Sequence, residues 1–238
     1  MRIHGLQKLT LLDYPEKTAC TIFLGNCNFR CPFCHNQDLV LHPENVEQIS
    51  EDALFSFLKK RQGLLDGVCI TGGEPLLHTD LAPFLSSIRS LGYSIKLDTN
   101  GSFPTRLKEL VHLGLIDYVA MDIKNSLEQY DRTTGFSSVS LSSVQESVQF
   151  LLSDVVEYEF RTTMVRELHT QNDFLSIGKW IKGAKRYFLQ EFIDSGNLVV
   201  NSYSSSTQFH PFTKEEALEI QKLLLPFVST VELRGYEI

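Results

Sequence analysis

Three cysteines fall within eight residues, Cys27-Asn28-Phe29-Arg30-Cys31-Pro32-Phe33-Cys34, spaced C-x3-C-x2-C after an apolar run from Ala19 to Leu24. Three thiolates this close can hold three corners of a four-iron, four-sulfur cube. A cluster used only for electron transfer usually has four cysteine ligands. A set of three leaves one iron open and points to chemistry at that iron. Two other readings compete. A structural zinc site is closed and four-coordinate, often with two knuckles far apart in sequence. No second C-x2-C knuckle exists here, and His35 directly follows Cys34, so the two are poorly placed to share one metal. A disulfide framework fits less well, because the five cysteines are an odd count. The N-terminal Met1-Arg2-Ile3-His4-Gly5 also lacks the apolar core of a secretory leader. The expected setting is a reducing cytoplasm, where clustered cysteines mean metal or catalysis. Cys20 and Cys69 sit in apolar runs and read as buried core thiols.

The elements that must hold this loop alternate along the chain. Strands are predicted over 19–24, 67–71, 93–98, 116–122, 156–165 and 186–193, with a last short strand over 229–234. Helices are predicted over 51–62, 79–91, 104–113, 141–152, 172–182 and 213–225. Ser50 is the N-cap of the first helix, and Gly92 and Gly114 stop the second and third. Six strand–helix units in order imply a parallel sheet with right-handed crossovers. A complete eight-unit barrel needs about 250 residues, so the α/β fold expected for these 238 residues is a partial (β/α)6 open barrel. An open doubly wound sheet is the runner-up. One domain is expected over 1–238: an N-terminal extension over 1–18, core units over 19–193, and a loop, helix and last strand over 194–238.

Both architectures bind ligands at the carboxyl ends of the strands, and the unusual residues cluster there. Thr71-Gly72-Gly73-Glu74-Pro75 ends the second strand and Asp98-Thr99-Asn100-Gly101 the third. Asp122 and Lys124 end the fourth, Arg161 and Arg166 lie on or past the fifth, and Gln190 and Glu191 near the end of the sixth. Gly72 and Gly73 allow a ligand close to the backbone, whose carbonyls could accept from an ammonium group; a plain strand-to-helix turn is the bland alternative. Asp98 and Asp122 could bind ribose hydroxyls or a cation, or Asp98 could cap the next helix. Asn100-Gly101 is equally a turn. Lys124 shares the face of Asp122 and could meet a ligand carboxylate, or could be a solvated surface lysine. Arg161, a charge inside a strand, needs an anionic partner. Phe33 could pack on a flat base or cap the core. His35 reads as a backbone hydrogen-bonding residue, and His78, His112, His169 and His210 show no ligand spacing.

Taken together, C-x3-C-x-aromatic-C followed one strand later by Gly-Gly-Glu-Pro resembles the radical S-adenosylmethionine superfamily. The resemblance implies a [4Fe-4S] cluster on Cys27, Cys31 and Cys34, with S-adenosylmethionine on the open iron. Phe33 would contact the adenine, and the backbone of Gly72, Gly73 and Glu74 the amino group. Cys34-His35-Asn36, Leu11-Leu12-Asp13-Tyr14-Pro15, Asp98-Thr99-Asn100-Gly101 and Met121-Asp122-Ile123-Lys124 resemble the glycyl-radical-enzyme activating enzymes. The whole chain is similar to anaerobic ribonucleoside-triphosphate reductase activating proteins. By that similarity Asp98, Asp122 and Lys124 would bind S-adenosylmethionine or a cation beside its carboxylate, and Asn100 and Arg161 are counted with the cofactor site. Two positions depart from the family pattern: Asn26 and Glu16 stand where glycine is usual.

The implied activity is that of a radical oxidoreductase. An electron from a flavodoxin- or ferredoxin-like donor cleaves S-adenosylmethionine, and the 5′-deoxyadenosyl radical takes hydrogen from a glycine of a partner glycyl radical enzyme. Anaerobic ribonucleotide reductase is the first expectation for that partner. No side chain beyond the cluster and S-adenosylmethionine needs a catalytic role. A 7-carboxy-7-deazaguanine synthase-like enzyme is one alternative, although such enzymes read Cys-Asp-Thr where this chain has Cys34-His35-Asn36. A non-catalytic metal-binding module is the other. A net charge of −7 argues against nucleic acid, and no apolar run is of membrane-spanning length. There is no G-x4-G-K-[ST] loop and no G-x-G-x2-G fingerprint.

Overall fold

The computed structural model describes residues 1–135, 141–202 and 208–236. One sheet runs through it, with strands β1 (Ile3–Thr10), β2 (Ala19–Leu24), β3 (Gly67–Gly72), β4 (Ser94–Thr99), β5 (Tyr118–Asp122), β6 (Glu157–Met164), β7 (Arg186–Glu191) and β8 (Thr230–Arg234). Their order in the sheet is their order in the chain. A doubly wound sheet reverses strand order at a switch point, so the sequential order removes that alternative. Among the described residues β1 and β8 do not pair with each other, and the sheet stays open. All seven strands expected from sequence are present and parallel. β1 is an addition: residues 1–18, read only as an extension, supply a strand antiparallel to β2.

The helices are α1 (Gln37–Leu41), α2 (Glu51–Arg61), α3 (Leu81–Arg89), α4 (Pro104–His112), α5 (Tyr130–Thr134), α6 (Leu141–Leu152), α7 (Gln171–Trp180) and α8 (Lys214–Leu224). The short α1 and α5 carry too few turns for periodicity to reveal. Ser50 caps α2 through Ala53 N–H, and capping boxes start α7 (Thr170, Asp173) and α8 (Thr213, Glu216). None of the described helices is long and apolar enough to cross a membrane. Residues 203–207 of the polar connection lie outside the described residues.

The main apolar core lies between sheet and helices. The other side of the sheet is different. Arg161 on β6 reaches Asp98 on β4, and Arg234 on β8 reaches Glu159 on β6. Each contact skips a strand, as it can only on the concave side of a curved sheet. This lumen is charged where closed barrels pack branched apolar side chains. Tyr14 closes its floor. The Tyr14 ring lies 6.0 Å from that of Tyr118, and a Cβ on Gly67 would stand 2.9 Å from it.

Candidate functional site

The cysteine loop leaves the carboxyl end of β2. It begins with Asn26 at φ 67°, a left-handed conformation, and the other departure from the family's glycines, Glu16, stands at φ 61°. Both positions have the backbone that glycine adopts without strain. Arg30 Nη1 folds back to donate to the carbonyls of Cys27 (2.5 Å) and Phe29 (2.8 Å). Arg30 N–H is tied to the Thr134 carbonyl at the end of α5 (2.8 Å). Asn36 Nδ2 donates to the Gly72 carbonyl (2.8 Å), locking the loop to the end of β3. From the next strand, Asn100 Nδ2 donates to Asn28 Oδ1 (2.9 Å) and lies 3.9 Å from Cys27 Sγ.

All five cysteines are free thiols. Burial pushes Cys27 up to about 12, assisted by the Glu74 charge, and burial likewise raises Cys31 and Cys34. Such thiols ionise when a cationic centre compensates them. Among the described residues no three side chains of His, Cys, Asp or Glu converge tightly enough for a single ion. Tetrahedral zinc draws its thiolates to about 2.3 Å from one centre; a cube several ångström across accepts a wider set.

The Gly72-Gly73 pair is explained first by protein packing. A Cβ on Gly72 would lie 2.2 Å from the Leu24 carbonyl oxygen, and one on Gly73 1.9 Å from that of Asn26. Gly73 N–H donates to Leu24 and Glu74 N–H to Asn26, both at 2.8 Å. The Gly72 carbonyl, expected to be open to a ligand, already accepts from Asn36.

Opposite the cysteines stands a row of alternating charges. Lys96 Nζ pairs with Asp98 Oδ1. Arg161 Nη1 donates to Asp98 Oδ2 (3.1 Å) and its Nε to Asp122 Oδ1 (2.9 Å). Lys124 Nζ donates to Asp122 Oδ2 (2.9 Å). Register explains the row: Asp122 and Arg161 are direct partners across β5 and β6, and Lys96 and Asp98 share one face of β4. Burial alone would raise Asp98, but Arg161 and Lys96 outweigh it and hold its carboxyl down at about 2. Asp122 is likewise lowered, burial being outweighed by Arg161 and Lys124. Burial would lower Lys124, but Asp122 and Cys31 raise it instead.

Thiols and charges enclose one cavity of about 210 Å³, and the residues that the resemblance assigned to the cofactors all line it except Glu74. Glu74 is fully buried behind the wall. Its carboxylate accepts from Leu76 N–H (3.0 Å), Thr99 Oγ1 (2.8 Å) and Asn100 N–H (2.7 Å). Burial nevertheless carries its carboxyl up to about 7.

The competing readings now separate. Asp98 caps no helix, since Phe103 is the N-cap of α4. Lys124 is paired and mostly buried, not solvated. Asn100 does form the turn as well, accepting from Ser102 N–H, with Gly101 at φ 76°. Arg161 finds its anionic partners within the protein. Arg166 points elsewhere and pairs with Glu216, while Glu191 lines a second cavity. The described contacts of His35 are side-chain ones: Nδ1 lies 3.4 Å from Ser195 Oγ, and the ring stacks on Phe192. Cys69, read as a buried core thiol, is fully buried, with its Sγ on the lumen side 3.8 Å from Asp98 Oδ1. Sequence reasoning missed Lys96, Asn28 and Arg30. It also missed His169, whose Nε2 meets the Lys124 carbonyl at 2.9 Å. Lys96 carries the signal that exposed Arg161, a charge inside a strand.

A family model described as the Radical SAM superfamily matches residues 21–153. A Methanocaldococcus jannaschii protein named for glycyl-radical enzyme activation is 30% identical over 98% of this chain and 95% of its own. A 7-carboxy-7-deazaguanine synthase of Koribacter versatilis is 26% identical over 65% of each. Among solved structures, Streptococcus suis SuiB bound to precursor peptide SuiA superposes with a TM-score of 0.69 at 11% identity. That match covers 90% of this chain and 48% of SuiB.

Proposed function

The chain belongs to the radical S-adenosylmethionine superfamily and to its glycyl-radical-enzyme activating members, and we propose that it activates an anaerobic ribonucleotide reductase. The family uses a [4Fe-4S] cluster and S-adenosylmethionine. The observation that carries the reading is the cavity itself: three free thiols on one wall face a row of paired charges on the other. The donor set fits the cofactors. When bound, they supply one-electron cleavage of a sulfonium and a strong hydrogen-atom acceptor.

In this reading Cys27, Cys31 and Cys34 hold the cluster, and Arg30 and Asn36 fix the loop that carries them. Lys124 faces the ligand carboxylate, and Arg161 braces Asp98 and Asp122. Phe33 packs on the adenine, and the Gly73 backbone and the second lone pair of the Gly72 carbonyl meet the amino group. Asp98 and Asp122 each already accept from two cationic groups, so their remaining lone pairs suit ribose hydroxyls better than a further cation. Glu74 supports the wall through its three hydrogen bonds. The open side of the sheet admits a glycine loop of the partner. The electron comes from a flavodoxin- or ferredoxin-like protein in a reducing cytoplasm, where the thiols survive. The near-complete mutual coverage of the Methanocaldococcus jannaschii protein favours the activating reading over the synthase, which matches about two thirds of each chain.

The test is anaerobic reconstitution with iron and sulfide, reduction, and addition of S-adenosylmethionine with candidate reductases. The expected results are 5′-deoxyadenosine and a glycyl-radical doublet on the reductase by electron paramagnetic resonance, both absent in Cys31→Ala. Turnover only with a small deazapurine precursor would favour the synthase reading. An intact cluster without cleavage would favour the metal-binding module.

A further inference from the structure

Lys96 takes no part in the roles assigned above. It is 1% exposed, does not line the cavity, and lies in the lumen two residues before Asp98 on the same face of β4. Its ammonium meets Asp98 Oδ1 and stands 3.9 Å from Cys69 Sγ. A buried ammonium is retained only where it is paired, and its anionic hydrogen-bond partner is one oxygen of Asp98. The other oxygen is held by Arg161, which also spans to Asp122. Asp98 is thus gripped from two directions, by Lys96 from within the lumen and by Arg161 along the wall.

We infer that Lys96 is a positioning residue: its grip on Asp98 holds that carboxylate toward the nucleoside half of the ligand and keeps Arg161 shared between Asp98 and Asp122. Without the ammonium, Asp98 would have Arg161 as its one cationic partner. A bidentate Arg–carboxylate pair is the favoured geometry for such a couple. Arg161 would close on Asp98, leave Asp122, and consume the lone pairs that face the cavity. The amino-acid half of the ligand, on the thiol side, would be untouched. This inference rests on the reading that S-adenosylmethionine occupies the cavity.

The experiment uses cluster-loaded protein and equilibrium binding of three probes: S-adenosylmethionine, 5′-methylthioadenosine and methionine. Iron content and visible absorption are checked first. Lys96→Met should weaken the first two by roughly ten- to hundredfold, the range for a lost charge-assisted hydrogen bond. Methionine should change less than about twofold by the same measure, and Lys96→Arg should restore most of the nucleoside affinity. In turnover the loss should fall on KM more than on kcat. Should Lys96→Met not fold, Lys96→Gln takes its place with the same probes. Equal weakening of all three probes would mean a merely structural role and overturn the inference, as would unchanged nucleoside binding. Failure of the unmodified protein to bind S-adenosylmethionine would instead overturn the reading of the cavity.

Discussion

Gly73→Ala tests whether the Gly-Gly turn exists to let β3 pack against the cysteine loop. The added Cβ would stand 1.9 Å from the Asn26 carbonyl oxygen and 2.5 Å from its carbon. Ordinary contact lies near 3.5 Å, so the two backbones must part by more than about 1 Å. The obstacle is main chain and cannot swing aside. Separation of that size breaks the Glu74–Asn26 hydrogen bond, now 2.8 Å, and strains that from Gly73 to Leu24. Overpacking costs about 1–3 kcal/mol and a buried unsatisfied donor about 1–3 kcal/mol. The sum, about 2–6 kcal/mol, is a large share of a typical stability of roughly 5–15 kcal/mol. Asn26 leads directly into Cys27, so iron incorporation should fall with stability. The assay is urea unfolding of the cluster-free protein, with iron per chain after reconstitution. Gly92→Ala is the control: at φ 90° with nothing within 4 Å, it carries only the left-handed penalty of about 1–2 kcal/mol and should load iron normally. Gly73→Ala within about 1 kcal/mol of the parent, with full iron, would refute the argument.

The elevated carboxyl of Glu74 gives a pH signature. Its folded value of about 7 lies above the ordinary 4.5, so its contribution to stability is full below pH 4.5 and is lost as pH rises toward 7. The loss is about 3 kcal/mol. Unfolding of the cluster-free protein between pH 5 and 8, compared with Glu74→Gln, should show the parent falling more steeply; parallel profiles would contradict the burial argument. Glu16→Gly should stabilise by about 0.5–1 kcal/mol, the left-handed penalty less the entropy of glycine, measured as a higher urea midpoint.

The legible part of the site was the part fixed by chain-local geometry. The cysteines share one loop, and parallel strands carry Asp98, Asp122 and Arg161 to one rim, so spacing and strand ends sufficed. Glu74 was expected at the site through its backbone, but its side-chain role was not legible, because its carboxylate caps the short 3₁₀ turn from Pro75 to Leu77, away from the cavity. Lys96 escaped because Ser94-Ile95-Lys96-Leu97-Asp98 alternates polar and apolar residues, so Lys96 reads as the solvated side of a half-buried strand, the face it shares with Asp98. Arg30 and Asn28 act through α5 and the turn after β4, contacts that local pattern does not contain. β1 escaped because its pairing with β2 is interrupted by two register shifts, which blur the alternation.

The sequential strand order also bears on how the protein is made. Each strand from β2 to β8 joins the one synthesised just before it, so the sheet can grow as the chain leaves the ribosome, N-terminal part first. The thiols emerge with β2, whereas Asp98, Asp122 and Arg161 arrive with β4, β5 and β6. The nascent chain therefore presents three bare sulfurs before their opposing wall exists. Until β6 docks, those thiols lack the wall that later encloses them and are open to oxidation.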